Sequence, residues 1–492
     1  MTNHDPAFNP NITSVPVREA RLGSVVAYEG TAADLASRSR DGSLRDRPRT
    51  FTEAGSCASS CAICLLSLIP DAAVVNHAPL GCAGDFTQFN AVNRFGRVKR
   101  GLPPANAHLL STNLRENEAV FGGLARLEET VRESHARFAP KAIFITASCT
   151  SAITGEDSDS VAEKLEREFG IPIATVACEG FRSRLWTTGF DAAYHAILRK
   201  IVKPPRQRHP EKINVVTFWG EDVFDDLFTP LGLQANPIVP FAPIDEIARI
   251  SEAGATVQIC STLGTYLAAG LEERYGVPEV KAPPPYGLSG MDAWMRALGR
   301  TVGRQAAVEK VIARERERTA AELAGLRRQL KGVRAYVAAG SVHGHSIRAV
   351  LGELGIEVVG SSFWHHDPVF DHRNAAADSL LHVVDNYGDT PVSICNKQVY
   401  QVVNQLRRLR PDVFIVRHPG MAVWGGKLGI PTFLVEDEHF GLGYTGLLRY
   451  GHKIADAVSN PAFFRHLARH TRLPYTDWWF TQNSSAFLGE ER

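Results

Sequence analysis

No uninterrupted apolar stretch in this sequence is long enough to cross a bilayer: the most apolar run, residues 62–75, is broken by Pro70 and Asp71. An excess of charge of one sign is missing as well. The 54 basic residues are balanced by 53 acidic ones, a formal charge of +1, which argues against a nucleic-acid partner or an anionic membrane surface. Residues 1–50 are polar and mixed in charge, lack the basic-then-apolar profile of a secretion signal, and read as an extended arm. Cysteine is sparse. Eight in a chain of 492 residues, without a secretion signal, argue against a disulfide framework and for reduced thiols, some of them ligands, in a cytoplasm with little oxygen. Short repeats and low-complexity tracts are absent.

What is present is a succession of short apolar runs rich in β-branched residues, each followed by a turn and a helical pattern. This is the signature of parallel α/β units. Candidate strands fall at residues 142–147, 171–177, 213–218, 255–259, 334–338, 357–359, 413–416 and 432–435. Val161, Leu165 and Phe169 lie at helical spacing ahead of a stop at Gly170. The chain is too long for one core. The charged, proline-rich Lys203–Pro210 marks one boundary, and the end of the charged helical region near Lys331 a second. The expected organisation is α/β, with three Rossmann-like domains at residues 51–205, 206–331 and 332–460 and a C-terminal extension at 461–492. In such sheets ligands bind beyond the carboxyl ends of strands, where Cys149, Cys178, Cys260 and residues 436–439 fall, so a cleft between domains can hold a large cofactor.

Cys57, Cys82 and Cys149 each stand at the mouth of a predicted strand or turn, a pattern that points to metal ligation. Thiolates are soft ligands for iron–sulfur clusters, and several loops together can clasp a cluster too large for one compact motif. The competing reading is that each is a buried hydrophobe. The flanking motifs bear on this choice. Pro79-Leu80-Gly81-Cys82, Cys178-Glu179-Gly180-Phe181-Arg182 and Asn113-Leu114-Arg115-Glu116-Asn117-Glu118-Ala119-Val120-Phe121-Gly122-Gly123 resemble, in order and spacing, the D-type or α subunit of the nitrogenase component 1 family. The resemblance runs from about Phe51 to about Asp456. Within the family the chain is most similar to the D subunit of methylthio-alkane reductases, nitrogenase-like enzymes that cleave carbon–sulfur bonds.

The resemblance implies a nitrogenase component 1 fold, with parallel sheets around a central metallocluster cleft. It implies that Cys57, Cys82 and Cys149 hold half of an eight-iron, seven-sulfur P-cluster, the other half coming from a homologous β-type (K) subunit. Cys61 is an alternative first ligand, and Cys61, Cys64 and Cys395 otherwise have no assigned role. Cys260 matches the cysteine that anchors the active-site cluster. For the opposite pole, counting from Ile430-Pro431 gives Glu436 and counting back from Gly443-Tyr444 gives His439, the imidazole being favoured as an iron ligand.

Departures from the molybdenum pattern shape the expected chemistry. Trp186 and Phe190 stand where a glutamine and a histidine flank the cofactor, making the site apolar and suited to a small thioether. Asn90 replaces an arginine, and no lysine for homocitrate occurs near Arg417-His418-Pro419-Gly420. The implied cofactor is therefore a large eight-iron, nine-sulfur, carbon-centred cluster without molybdenum or homocitrate. His343 and His365 are candidates for the cofactor pocket, competing with a reading as turn or surface residues. The glycine-rich Gly420–Leu428 misses P-loop spacing, so electrons would come from a separate ATP-dependent iron–sulfur reductase. The expected assembly is an α2β2 heterotetramer acting on dimethyl sulfide, ethyl methyl sulfide or 2-methylthioethanol. The rivals are a cofactor-assembly scaffold, an iron-only nitrogenase α subunit, a tetrapyrrole reductase and a sugar-nucleotide binder built on paired Rossmann domains.

Overall fold

The computed structural model describes residues 8–53, 56–218, 220–368, 375, 377–435 and 437–490. In chain order the strands are β1 (Tyr28–Thr31), β2 (Ala72–His77), β3 (His108–Ser111), β4 (Ala142–Ala147), β5 (Ile173–Val176), β6 (His209–Val216), β7 (Gln234–Ile238), β8 (Ala253–Gln258), β9 (Arg334–Ala339), β10 (Glu357–Phe363), β11 (Pro391–Ile394), β12 (Val413–Val416) and β13 (Thr432–Leu434). They form three sheets, and the chain divides into two compact units.

The first unit takes in residues 8–21 and 56–279. Its larger sheet has the order β3-β2-β4-β5, parallel throughout. All six residues of β2 are buried, as a strand covered on both faces requires. Helices Leu124–Phe138 and Ser158–Phe169 place Leu127, Val131, Val161 and Leu165 against Ala73, Val75, Ile143 and Ile145. Gly170 ends the second of these at φ +70°, a conformation that favours glycine. Helices Ala58–Leu66 and Thr188–Lys200 also pack against this sheet. A smaller parallel sheet, β7-β6-β8, shares the unit, and Lys203–Pro210 leads from one sheet toward the other. Two sheets expected in separate domains thus belong to one compact body.

The second unit, residues 22–53 and 280–490, contains the sheet β1-β11-β10-β9-β12-β13. Only β1 runs antiparallel to its neighbour. Helices Gly287–Val302 and Gln305–Gln329, expected to close the middle domain, belong here, the longer one packed on Gly443–Ser459. The described part of the N-terminal segment is not an extended arm. It carries helices Arg18–Leu22 and Ala32–Asp41 besides β1, and Tyr28, Leu35 and Leu44 enter a core with Phe363 and Ile394. Isolated apolar residues among charges gave no periodic signal, yet each is buried by the sheet it joins. The C-terminal segment packs back as well: buried Trp479 donates its indole N–H to the Tyr400 carbonyl at 3.0 Å.

Candidate functional site

The carboxyl ends of β2, β4 and β5 open on one edge of the larger sheet of the first unit. Cys82 lies in the single turn Leu80–Ala83 after β2, and Cys149 opens the helix Cys149–Ile153 after β4. Cys57 is the N-cap of Ala58–Leu66, its sulfur accepting from the Ser60 N–H at 3.4 Å. Gly180, beyond β5, leaves the room these thiols need. A Cβ there would lie 3.0 Å from Cys57 Cβ and 3.6 Å from Cys149 Sγ. Burial raises the Cys82 pKa, and the charges of Cys57 and Cys149 raise it further, so the three sulfurs share one electrostatic environment.

Exposure sorts the remaining cysteines. Cys57, Cys82 and Cys149 are exposed, whereas Cys61, Cys178, Cys260 and Cys395 are buried and Cys64 is half-buried. Burial, then Asp85, pushes the Cys64 thiol up to about 12. Burial pushes Cys395 up to about 11 despite Arg49 nearby. Cys178 donates its S–H to the Ala147 carbonyl at 3.6 Å, and burial raises its pKa strongly. These protonated thiols behave as packing groups. Among the described residues no three His, Cys, Asp or Glu side chains are grouped to hold a single metal ion. Three exposed thiols brought near one another on separate loops instead suit a multi-iron cluster, whose irons spread over several ångströms.

The smaller sheet positions Cys260. It follows β8 and caps the helix Ser261–Tyr275, with 5% of its surface exposed. The Ile259 N–H donates to Val216 O at 3.4 Å, holding the ends of β8 and β6 together, and Phe218 follows β6. Phe190 meets Phe218 edge-on at 6.3 Å and Trp186 edge-on at 5.8 Å. An aromatic trio is thereby assembled around the strand ends from which Cys260 emerges. Sequence reasoning singled out Trp186 and Phe190 and missed Phe218, although its place at the end of a predicted strand was a usable signal.

Asp191, the residue after Phe190, belongs to a buried ionic cluster that the sequence did not announce. Arg18 grips both oxygens of Asp191, at 2.8 Å from Nε and 2.7 Å from Nη2, and Arg21 adds a contact of 2.5 Å. The same Arg18 Nη2 donates to the Thr262 carbonyl at 2.5 Å. One guanidinium therefore ties the residue after Phe190 to the residue two beyond Cys260. Such forks match a carboxylate in a way lysine does not.

The second unit holds the other candidates. His439, in the loop after β13, is fully buried; its N–H donates to Asp437 Oδ1 at 2.7 Å and its carbonyl accepts from Arg449 at 3.2 Å. Glu436, the alternative pole ligand, lies outside the described residues. Next to His439, Glu438 pairs with Arg417 and approaches His343 Nε2 to 2.9 Å. Burial alone would push this carboxyl up, but Arg417 and His343 outweigh it and hold it at about 2. Tyr286 donates to the Glu438 carbonyl at 2.9 Å. Arg417, Glu438 and His343 thus form a charged group beside the His439 loop, and Glu438 was not foreseen. His365 has different partners: it is fully buried, 3.3 Å from Asp367, which in turn accepts from Ser24. It is neither a turn nor a surface residue. The glycine-rich segment after His418 forms the helix Pro419–Lys427, not a phosphate-cradling loop. No helix among the described residues is long and apolar enough to cross a membrane.

The family model for nitrogenase component 1 type oxidoreductases matches residues 57–459. The nitrogenase iron-molybdenum cofactor biosynthesis protein NifE of a Nostoc species is 27% identical over 424 residues, covering 83% of this chain and 84% of that protein. The nitrogenase molybdenum-iron protein alpha chain of Methanococcus maripaludis is 24% identical over 449 residues, covering 85% of this chain and 88% of the relative. The solved structure of nitrogenase Cp1 at pH 6.5 superposes with a TM-score of 0.71 at 20% identity, covering 87% of this chain and 93% of that one, which establishes the fold. The chain belongs to the nitrogenase component 1 type oxidoreductase family.

Proposed function

We propose that this chain is the catalytic α-type subunit of a nitrogenase-like reductase that cleaves methylthio-alkanes. The substrates are dimethyl sulfide, ethyl methyl sulfide and 2-methylthioethanol, and the products are methanethiol and a small hydrocarbon. The observation that carries the reading is the aromatic trio of Trp186, Phe190 and Phe218 at the strand ends that deliver Cys260. Aromatic faces enclose a methylthio group well and offer few proton donors to dinitrogen.

In this reading Cys57, Cys82 and Cys149 hold half of an interface P-cluster, and Cys260 with His439 holds a large iron–sulfur cluster without molybdenum or homocitrate. The bound clusters supply electrons at low potential. The chain's own residues do the rest. Trp186, Phe190 and Phe218 would exclude water and orient the thioether, while His343, paired with Glu438, and His365 are the candidates to hold a proton. For dimethyl sulfide and ethyl methyl sulfide the overall step adds two electrons and two protons: the carbon–sulfur bond breaks, and one C–H and one S–H bond form; for 2-methylthioethanol the same two electrons and two protons break the C–S and C–O bonds and give methanethiol, ethylene and water.

The thiol edge also indicates the partner. Leu80, Val120, Phe121, Ile153 and Phe181 are exposed on elements at the carboxyl edge of the four-stranded sheet, Phe121 by 86%. A homologous β-type subunit would cover apolar surface there and supply the remaining cluster ligands, in an α2β2 assembly fed by an ATP-dependent iron–sulfur reductase. The setting is a cytoplasm with little oxygen.

The test is an anaerobic assay of the purified heteromer with its reductase and ATP. Methanethiol and hydrocarbon are expected, with little or no ammonia from dinitrogen. Ammonia without carbon–sulfur cleavage would instead identify an iron-only type of nitrogenase. A second reading, a scaffold for cofactor maturation, is favoured by the similarity to a cofactor biosynthesis protein. It predicts a complex that carries a cluster at Cys260, releases it to an acceptor and turns over no thioether.

A further inference from the structure

Helix Thr188–Lys200 packs against two helices that each begin at a cysteine: Ala58–Leu66, capped by Cys57, and Ser261–Tyr275, capped by Cys260. Gly189 makes the first contact close, since a Cβ there would meet the Ala58 carbonyl oxygen at 2.0 Å. Arg18 secures the second through Asp191 and the Thr262 carbonyl. Tyr194 follows Phe190 by four residues and so lies one turn along the same face of this helix. It is fully buried, yet its hydroxyl has no hydrogen-bond partner.

An unpartnered buried hydroxyl is costly, and phenylalanine would fill the same space without that cost. The oxygen therefore calls for a partner that arrives with a bound group. Its surroundings indicate which. Its helix packs on the one that Cys260 caps, and burial most of all, then the charges of Cys260, Cys61 and Asp191, oppose ionisation of the phenol. A phenol, whose ordinary pKa is about 10, is protonated at neutral pH and is a donor.

We propose that Tyr194 is a positioning residue of the Cys260 site, its O–H donating a hydrogen bond to a sulfide of the cluster held there. Such a bond stabilises the more negative, reduced form of an iron–sulfur group and raises its potential. This inference rests on the reading of Cys260 as a cluster ligand.

The test uses the anaerobic heteromer. Cys260→Ala first identifies the paramagnetic signal that depends on this thiol. Tyr194→Phe is then expected to retain heteromer and iron content, leave the interface-cluster signal unchanged, and move the Cys260-dependent signal to a more negative midpoint potential with an altered line shape. Tyr266→Phe is the control, because that buried hydroxyl already has a partner in His195 Nδ1 at 2.8 Å. An unchanged potential in Tyr194→Phe, or an equal shift in the control, overturns the inference while leaving Cys260 a ligand. A wild-type complex with no Cys260-dependent signal overturns both.

Discussion

Glu438 shows how one side chain can be stabilised by its neighbours and at the same time stiffen a loop. Its carboxyl is held at about 2 although burial works the other way, so the Arg417 and His343 contacts exceed a substantial desolvation cost. Because the folded pKa is depressed, the stabilisation is fully present above the unfolded carboxylate range near 4.5 and is lost as pH falls toward 2. The shift corresponds to roughly 3 kcal/mol. Glu438→Gln is therefore expected to lower stability by about that amount at pH 7, with the gap closing between pH 4.5 and pH 2. Denaturation curves of both proteins across that interval check it, and a gap independent of pH would contradict the assignment. Gly180 is the corresponding residue at the thiol edge. A Cβ there crowds Cys57 at 3.0 Å, so Gly180→Ala is expected to cost about 1–3 kcal/mol and to lower iron at the proposed interface cluster. Iron retained in full would argue that the sulfurs are not drawn together by a shared group.

Among the elements, helix Thr188–Lys200 carries the most consequence, because it bears Phe190 on one face and Asp191 on another. Asp191→Asn would leave Arg18 and Arg21 facing a neutral amide in a buried site, and breaking such a pair costs about 3–5 kcal/mol. The expected result is a large loss of thermal stability, together with loss of iron from the Cys260 site in whatever protein remains folded; a stable, fully loaded variant would show that the cluster of charges is incidental. Elements with strong local signals were legible in the sequence. The strands β4 and β12 coincide with residues 142–147 and 413–416, and Gly170 stops its helix as its position implied. Others were hidden for identifiable reasons. The apolar run 62–75 was one hydrophobic stretch with a flaw; Pro70 and Asp71 turn out to separate a helix from β2. β7 contains Asn236 and Pro237, which an edge strand tolerates but which conceal it. β1 is only 4 residues long with Glu29 and Gly30 at its centre, and its antiparallel pairing with β11 makes it a strand. The cysteines at strand ends could be found by position, whereas Arg18 and Asp191 could not, since 173 residues separate them.

At the scale of the whole molecule, the thiol edge of the first unit is unfinished by its own chain. Three exposed cysteines are accompanied on the same side of the sheet by apolar residues that a monomer would keep in water at some cost. If these thiolates hold the proposed eight-iron cluster, they leave most of its coordination positions unfilled, and ligands from a second chain would be needed. Metal binding and association should then be one linked process, each raising the affinity of the other. Expressed alone, the chain is expected to hold little iron at Cys57, Cys82 and Cys149 and to self-associate through this surface. Expressed with its homologous partner, it should gain iron and a defined heteromeric mass together. Cys82→Ala and Cys149→Ala should reduce both properties in parallel, whereas Cys64→Ala, which removes a thiol pushed up to about 12, should reduce neither. Sedimentation and iron analysis on the same preparations measure the linkage. A heteromer of full affinity that carries no iron, or a single chain that carries a full complement, would show that association and cluster binding are independent.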